Sequence, residues 1–195
     1  SWQYPIVEIL SGLIWVGIFY VNFSPFGGSP VGGYFLRFIY QIFIFSSLLV
    51  IAVYDFKWKI IPDKVVYPAI AAALIYNIFP LDKGGLWGIL LTAAISFLFF
   101  YSFFYFSGGR AMGLGDAKLA VLIGLFLSPM IALAAFTLAF VIGAAFGIML
   151  IALGKKTLKS QIAFGPFMVI GSVIVFFLSD FIIKSPKALY TVFFR

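Results

Sequence analysis

Seven apolar runs set the rhythm of the chain, near residues 5 to 23, 36 to 55, 65 to 80, 86 to 106, 112 to 127, 130 to 153 and 162 to 183. Most approach the roughly 20 consecutive apolar residues that a membrane-crossing helix needs. The fifth is the weakest, because its clean apolar stretch from Leu119 to Leu127 is short and Ser128 and Pro129 punctuate its end. Between the first and second runs, FSPFGGSPVGG carries no charge and reads as an exterior loop. Neither an internal repeat nor a low-complexity tract breaks the pattern. The expected fold is all-α: a polytopic membrane bundle of about seven transmembrane helices, forming a single domain over residues 1–195.

Composition agrees with the pattern. With 64% hydrophobic and 10% charged residues, the chain has too little polar side chain to cover a water-soluble globule. Its 21% aromatic content, including 26 Phe, suits lipid-facing and interfacial positions, so membrane lipid is an expected partner. The net charge of +7 does not suggest nucleic acid, since the 13 Lys and Arg are scattered through short loops and form no single basic face. They read instead as an orientation signal. Placing Ser1 in the cytosol puts Lys57, Lys59, Lys64, Arg110, Lys118, Lys155, Lys156 and Lys159 inside. Lys83, Lys184, Lys187 and Arg195 then fall outside, with Arg37 at the outer end of the second span. This bias supports a crossing by the fifth run, without which the KKTLKS loop would lie outside. The chain has no Cys and no His, which removes disulfides and argues against a zinc enzyme. Its start, SWQYPIVEIL, lacks both a Met and a basic n-region, and is expected to be an internal cut with a segment upstream.

Only six acidic residues are present, so each can be weighed separately. Asp82, beside Lys83 and Gly84, reads as a solvated turn. Asp180 stands four residues before Lys184, an ion-pair spacing on a helix. Asp63 follows Pro62 and precedes VVYPAIAAAL, where an N-capping carboxylate belongs, with a substrate contact as the alternative. Glu8 is expected in the first turn of the first span, where it complements the helix dipole, and a role near the site stays open. The remaining two are Asp55, which ends the second span after LLVIAVY, and Asp116, which begins the fifth within GLGDAK. Since spans three and four go out and return, both reach one cytoplasmic face. The alternative is that each merely snorkels at a helix end beside Lys57 or Lys118.

Ionisable groups within spans are costly and mark functional sites. Two carboxylates sharing a site resist joint ionisation. One, ionised, can take a proton from water while the other, protonated, holds a carbonyl. The helix ends suggest Asp116 as the anion and Asp55 as the proton carrier. Gly113 and Gly115 are expected to let the backbone adopt positive φ, or let an extended substrate approach beside Asp116. Gly165 and Pro166 in AFGPF would form a broken helix start exposing backbone groups toward a cavity, with simple helix entry as the alternative.

These segments together resemble the type IV prepilin peptidases, a family of GxGD membrane aspartic peptidases. SWQYPIVEILSG resembles the family's entry into its second membrane span, YDFKWKIIPD its first catalytic region, GLGDAK its second and AFGPF its late Gly-Pro motif. The resemblance implies that Asp55 and Asp116 are the catalytic aspartates. With the surrounding motifs it suggests Gly113, Gly115, Lys118, Pro62, Asp63, Glu8, Gly165 and Pro166 as substrate-binding residues. Some members have an acid two positions after the first aspartate, where this chain has Lys57. It further implies an inner-membrane enzyme of bacteria that removes a short basic leader from prepilins and pseudopilins at the cytoplasmic face, just before an apolar segment. Attraction of a basic leader would favour acids, and Asp63 and Glu8 are the only further ones nearby. No cofactor is expected in this chain. S-adenosylmethionine and zinc belong with an upstream region carrying paired Cys-x-x-Cys motifs, and methyl transfer is expected only where that region exists. A homo-oligomer is an open expectation.

Two rival readings stand beside this one. A presenilin or signal-peptide-peptidase relative would share Tyr54-Asp55 and GLGD, but would carry a late Pro-Ala-Leu motif where this chain has AFGPF. A proton-coupled transporter would need broken helices paired across two halves, and no such repeat is visible.

Overall fold

The computed structural model describes residues 3–23, 31–78, 86–110, 112–155, 157 and 162–184. Among them are seven α-helices and no strand: α1 (Gln3–Phe23), α2 (Val31–Trp58), α3 (Asp63–Ile78), α4 (Leu86–Ser107), α5 (Leu114–Phe126), α6 (Pro129–Ala152) and α7 (Gly165–Lys184). Each of the seven expected apolar runs is represented by one helix. Three of the helices, over Phe35–Trp58, Leu86–Ser107 and Pro129–Ala152, are long and apolar enough to cross a membrane, and Val7–Phe23 and Gly165–Ser179 are shorter apolar helices.

α4 shows how the sequence divides a helix between protein and lipid. Ala93, Ser96 and Phe100 form its buried stripe. Leu91, Ile95 and Leu98 lie on another face and are 57–62% exposed. Such a spread of exposed apolar surface is sustainable where the solvent is lipid.

α5 behaves differently. At 13 residues and about 1.5 Å per residue it extends only about 20 Å, short of the roughly 30 Å hydrocarbon core. Eight of its residues are buried, including Leu119, Leu122, Ile123 and Leu125. It is a central helix, apolar nearly all round because protein surrounds it. The weakness of the fifth run therefore reflects its central position.

α4 and α5 pack closely along one another, as do α6 and α7, while α2 contacts α1, α3 and α7. Small residues allow these approaches. A Cβ added at Gly124 would lie 3.0 Å from Ala93 Cα, and one at Gly171 would lie 2.5 Å from the carbonyl oxygen of Ala135. Along α6 and α7, Gly171 faces Ala135 and Ala139 while Gly143 faces Phe164 and Phe167, so the two helices run antiparallel. Gly171→Ala is expected to destabilise the protein by about 1–3 kcal/mol, because a backbone carbonyl cannot rotate aside as a side chain can. Thermal unfolding in detergent checks this, with Gly12→Ala, which meets nothing within 4 Å, as the neutral comparison.

The two ends of the bundle differ in chemistry. At one, where α1 ends and α2 begins, Asn22 Nδ2 donates to Gln41 Oε1 at 2.6 Å. At the ends of α3 and α5, Asn77 Nδ2 donates to the Leu125 carbonyl at 2.9 Å. Between them lies an aromatic cluster around the buried Phe45, 5.2 Å from Phe126 and 5.0 Å from Phe176. The other end gathers the C-terminus of α2 and the N-termini of α3, α5 and α7, and there the two carboxylates lie.

Candidate active site

α2 carries Asp55 one turn before its end. The helix stops at Lys59, which takes a left-handed conformation with φ of 55° and donates its N–H to the Asp55 carbonyl at 2.8 Å, an αL-type termination. The following IIPD segment turns the chain into α3, with Ile61 buried and the Pro62 carbonyl accepting from the N–H groups of Val65 and Val66.

The Asp55 side chain points inward and is 5% exposed. Its Oδ2 accepts a hydrogen bond from the Gly165 N–H at 3.0 Å. Gly165 begins α7, and Pro166 beside it contributes no N–H. The next two donors, Phe167 and Met168, both turn back to the Phe164 carbonyl at 3.0 and 3.2 Å. The Gly165 N–H is thus the first-turn donor left for Asp55. A Cβ at Gly165 would lie 2.5 Å from Asp55 Oδ2, so the carboxylate occupies the space that a side chain would need.

Asp116 sits in the first turn of α5 and is 8% exposed. Its Oδ2 accepts from the Gly113 N–H at 3.0 Å, while its own N–H donates to the Gly113 carbonyl at 3.1 Å. The reciprocal pair caps the helix. Asp55 and Asp116 thus lie buried at the same end of the bundle.

Several expectations change at this point. Asp55 belongs to a helix C-terminus, but its carboxylate meets the N-terminus of α7. Each aspartate therefore receives one backbone N–H at a helix N-terminus, and helix ends do not divide the proton between them. Neither Gly113 nor Gly115 has positive φ. Gly113 is extended, with φ of −82°. Gly115 packs on Ile61 of the turn between α2 and α3, whose Cβ would stand 3.0 Å from an added Cβ. Gly165 and Pro166 do expose a backbone group, and Asp55 takes it.

Lys118 and Asp63 are engaged with each other: Lys118 Nζ donates to Asp63 Oδ1 at 2.7 Å. The ammonium also lies 5.1 Å from the centroid of Tyr67. Asp63 is the first residue of α3, and its carboxylate braces α5 where a cap was expected. Lys118 therefore does not simply snorkel beside Asp116. Lys57 lies over Trp58, 4.4 Å from the ring centroid. Glu8 lies beyond the first turn of α1, which holds no acid, and is exposed. The side chain of Asp180 and all of Asp82 lie outside the described residues. Sequence reasoning missed Ile61 and Tyr67 as supports of the site. The pair Ile60-Ile61 at a helix exit was the available signal for the first.

Because the Asp63 side chain is 55% exposed, the brace is worth little in stability. Lys118→Ala is expected to cost under about 1 kcal/mol. A double-mutant cycle on thermal unfolding with Asp63→Ala should show the two losses failing to add.

Fold and site together define a helical membrane bundle with a buried pair of carboxylates at one end. The model of the type IV leader peptidase family matches residues 42–148, a segment containing both Asp55 and Asp116, and the chain belongs to that family. The chain is similar to the prepilin leader peptidase/N-methyltransferase of Bacillus subtilis (strain 168), 29% identical over 187 residues, covering 94% of this chain and 69% of that protein. The protein of the same name from Stutzerimonas stutzeri is 28% identical over 188 residues, covering 95% and 62%. That of Aeromonas salmonicida (strain A449) is 26% identical over 188 residues, covering 94% and 61%. The chain thus spans 61 to 69% of the length of these relatives. No solved structure matches it.

Proposed function

We propose that the chain is a membrane aspartic endopeptidase that removes the basic leader from prepilins and pseudopilins, with Asp55 and Asp116 as its catalytic residues. The observation carrying this reading is the placement of two buried carboxylates, from α2 and α5, at one end of the bundle, each held by one backbone N–H. Family membership supports it. An ionised carboxylate takes a proton from water as the water oxygen attacks the scissile carbonyl carbon, and its protonated partner hydrogen-bonds the carbonyl oxygen. The tetrahedral intermediate collapses, the C–N bond breaks and the proton passes to the leaving amine. Leader carboxylate and new N-terminus are the products.

The reading places the protein in the bacterial inner membrane as a multi-pass chain with its site toward the cytoplasm. Lys57, Lys59, Lys64, Arg110 and Lys118 follow or begin the helices that end at the carboxylates, while Arg37 lies toward the other end, an asymmetry that supports this orientation. Methyl transfer is not assigned to this chain. It has no Cys or His, so it lacks the residues of a Cys-x-x-Cys zinc set.

The test is direct. The purified chain in lipid nanodiscs, given a prepilin, should release one product whose N-terminus is the residue after the basic leader. An unprocessed substrate, with a folded enzyme by thermal unfolding, would sink the proposal.

A further inference from the structure

A cavity of about 830 Å³ lies between α1, α2 and α7, and its walls include Leu10, Leu13, Ala52, Phe56, Ile170 and Val173. The buried residues of α1, Ile18, Val21 and Asn22, all lie toward its C-terminal end, whereas Ile9, Leu10 and Leu13 are 46–64% exposed. At Gly17 the helix closes on α7, where an added Cβ would stand 2.8 Å from the ring of Phe177. Beside that contact, the wedge of space bounded by α1, α2 and α7 runs toward the carboxylate end. Pro166 and Lys57 line the end of the cavity nearest the carboxylates. Pro166 adjoins Gly165, whose N–H holds Asp55, so the cavity ends one residue from the site.

We infer that this wedge docks the apolar helix that follows the cleaved bond of the substrate. The inference rests on the peptidase reading above. From Pro166 to Phe177 the cavity runs eleven residues along α7, about 16 Å or three helical turns. Its walls are apolar except for Lys57 at the mouth, which suits a helix whose backbone groups are bonded internally. Within such a helix no peptide carbonyl is free for attack. The reactive bond must lie just beyond the helix end, in extended chain. A helix seated in the wedge brings that end to Gly165 and Asp55.

Photocrosslinking tests the placement. Benzoylphenylalanine is introduced at Leu13, Ile170 or, for comparison, the lipid-exposed Leu98 of α4, in full-length chain carrying Asp116→Asn to retain substrate. Leu13 and Ile170 should crosslink to the apolar segment of a full-length prepilin, and Leu98 should not. Crosslinks to lipid alone at Leu13 and Ile170, or equal capture at Leu98, overturn the docking site when the wild-type chain cleaves the same prepilin. Failure of the wild-type chain to cleave it overturns the underlying reading as well. In a second measurement, Ile170→Trp should raise KM for the full-length substrate by about tenfold, as overfilling by more than 1 kcal/mol would. A soluble peptide that spans the cut but lacks the apolar segment should be cleaved as before. Equal effects on both substrates count against the wedge.

Discussion

Asp116→Asn and Asp55→Asn are each expected to lower kcat/KM for leader cleavage by about 10³–10⁴-fold, the range for removing a positioned acid or base. The amide keeps the shape of the side chain and can still accept from the Gly113 or Gly165 N–H, so the loss should come without unfolding. The doubly substituted chain should be no slower than the slower single one, because residues acting as a unit are grossly non-additive. Initial rates with purified chain in nanodiscs, alongside thermal unfolding, distinguish the outcomes. Retained activity in either single variant would end the pair mechanism. A transporter reading, by contrast, would predict a transport defect and no protease to lose.

How far the sequence reveals this site depends on the range of the contact involved. Helices are legible because each apolar run reports its own solvent. The limit is seen at α5, where Gly124 and the leucines that follow Asp116 look like a poor crossing only because protein covers them on nearly every side. The two aspartates are also legible, since four other acids occupy positions with ordinary roles and the alternation of helices brings Asp55 and Asp116 to one end. What holds them is only half legible. Asp116 is capped by Gly113, three residues away, and GLGD announces that bond. Asp55 is held from 110 residues further along the chain. Gly165-Pro166 signals a helix start but not its target. The Lys118–Asp63 brace spans 55 residues, and charge alone does not select that pairing over Lys118 with Asp116. The division of labour inferred from helix ends fails for the same reason. It considered the helix to which Asp55 belongs, and the decisive dipole belongs to its neighbour.

That neighbour supplies the second large effect, Gly165→Ala. A methyl group there would stand 2.5 Å from Asp55 Oδ2, below any stable contact, and 3.2 Å from Cγ, so one of the two must move. Since the backbone at Gly165 is fixed by α7 on one side and by the turn through Phe164 on the other, the carboxylate is the part that yields. Displaced, it loses the Gly165 N–H and its alignment with Asp116. An error of about 1 Å in a reacting group costs on the order of 10²-fold, and this is the expected loss in kcat. KM should change little, because the apolar walls that hold substrate are untouched. Thermal stability should fall by about 1–3 kcal/mol or less, as for other small overpackings. Gly12→Ala, in open space on α1, should leave the rate unchanged. If Gly165→Ala cleaved prepilin at the wild-type rate, the Asp55 carboxylate would be free to work away from the N-terminus of α7, and the geometry assigned to the pair would have to be abandoned.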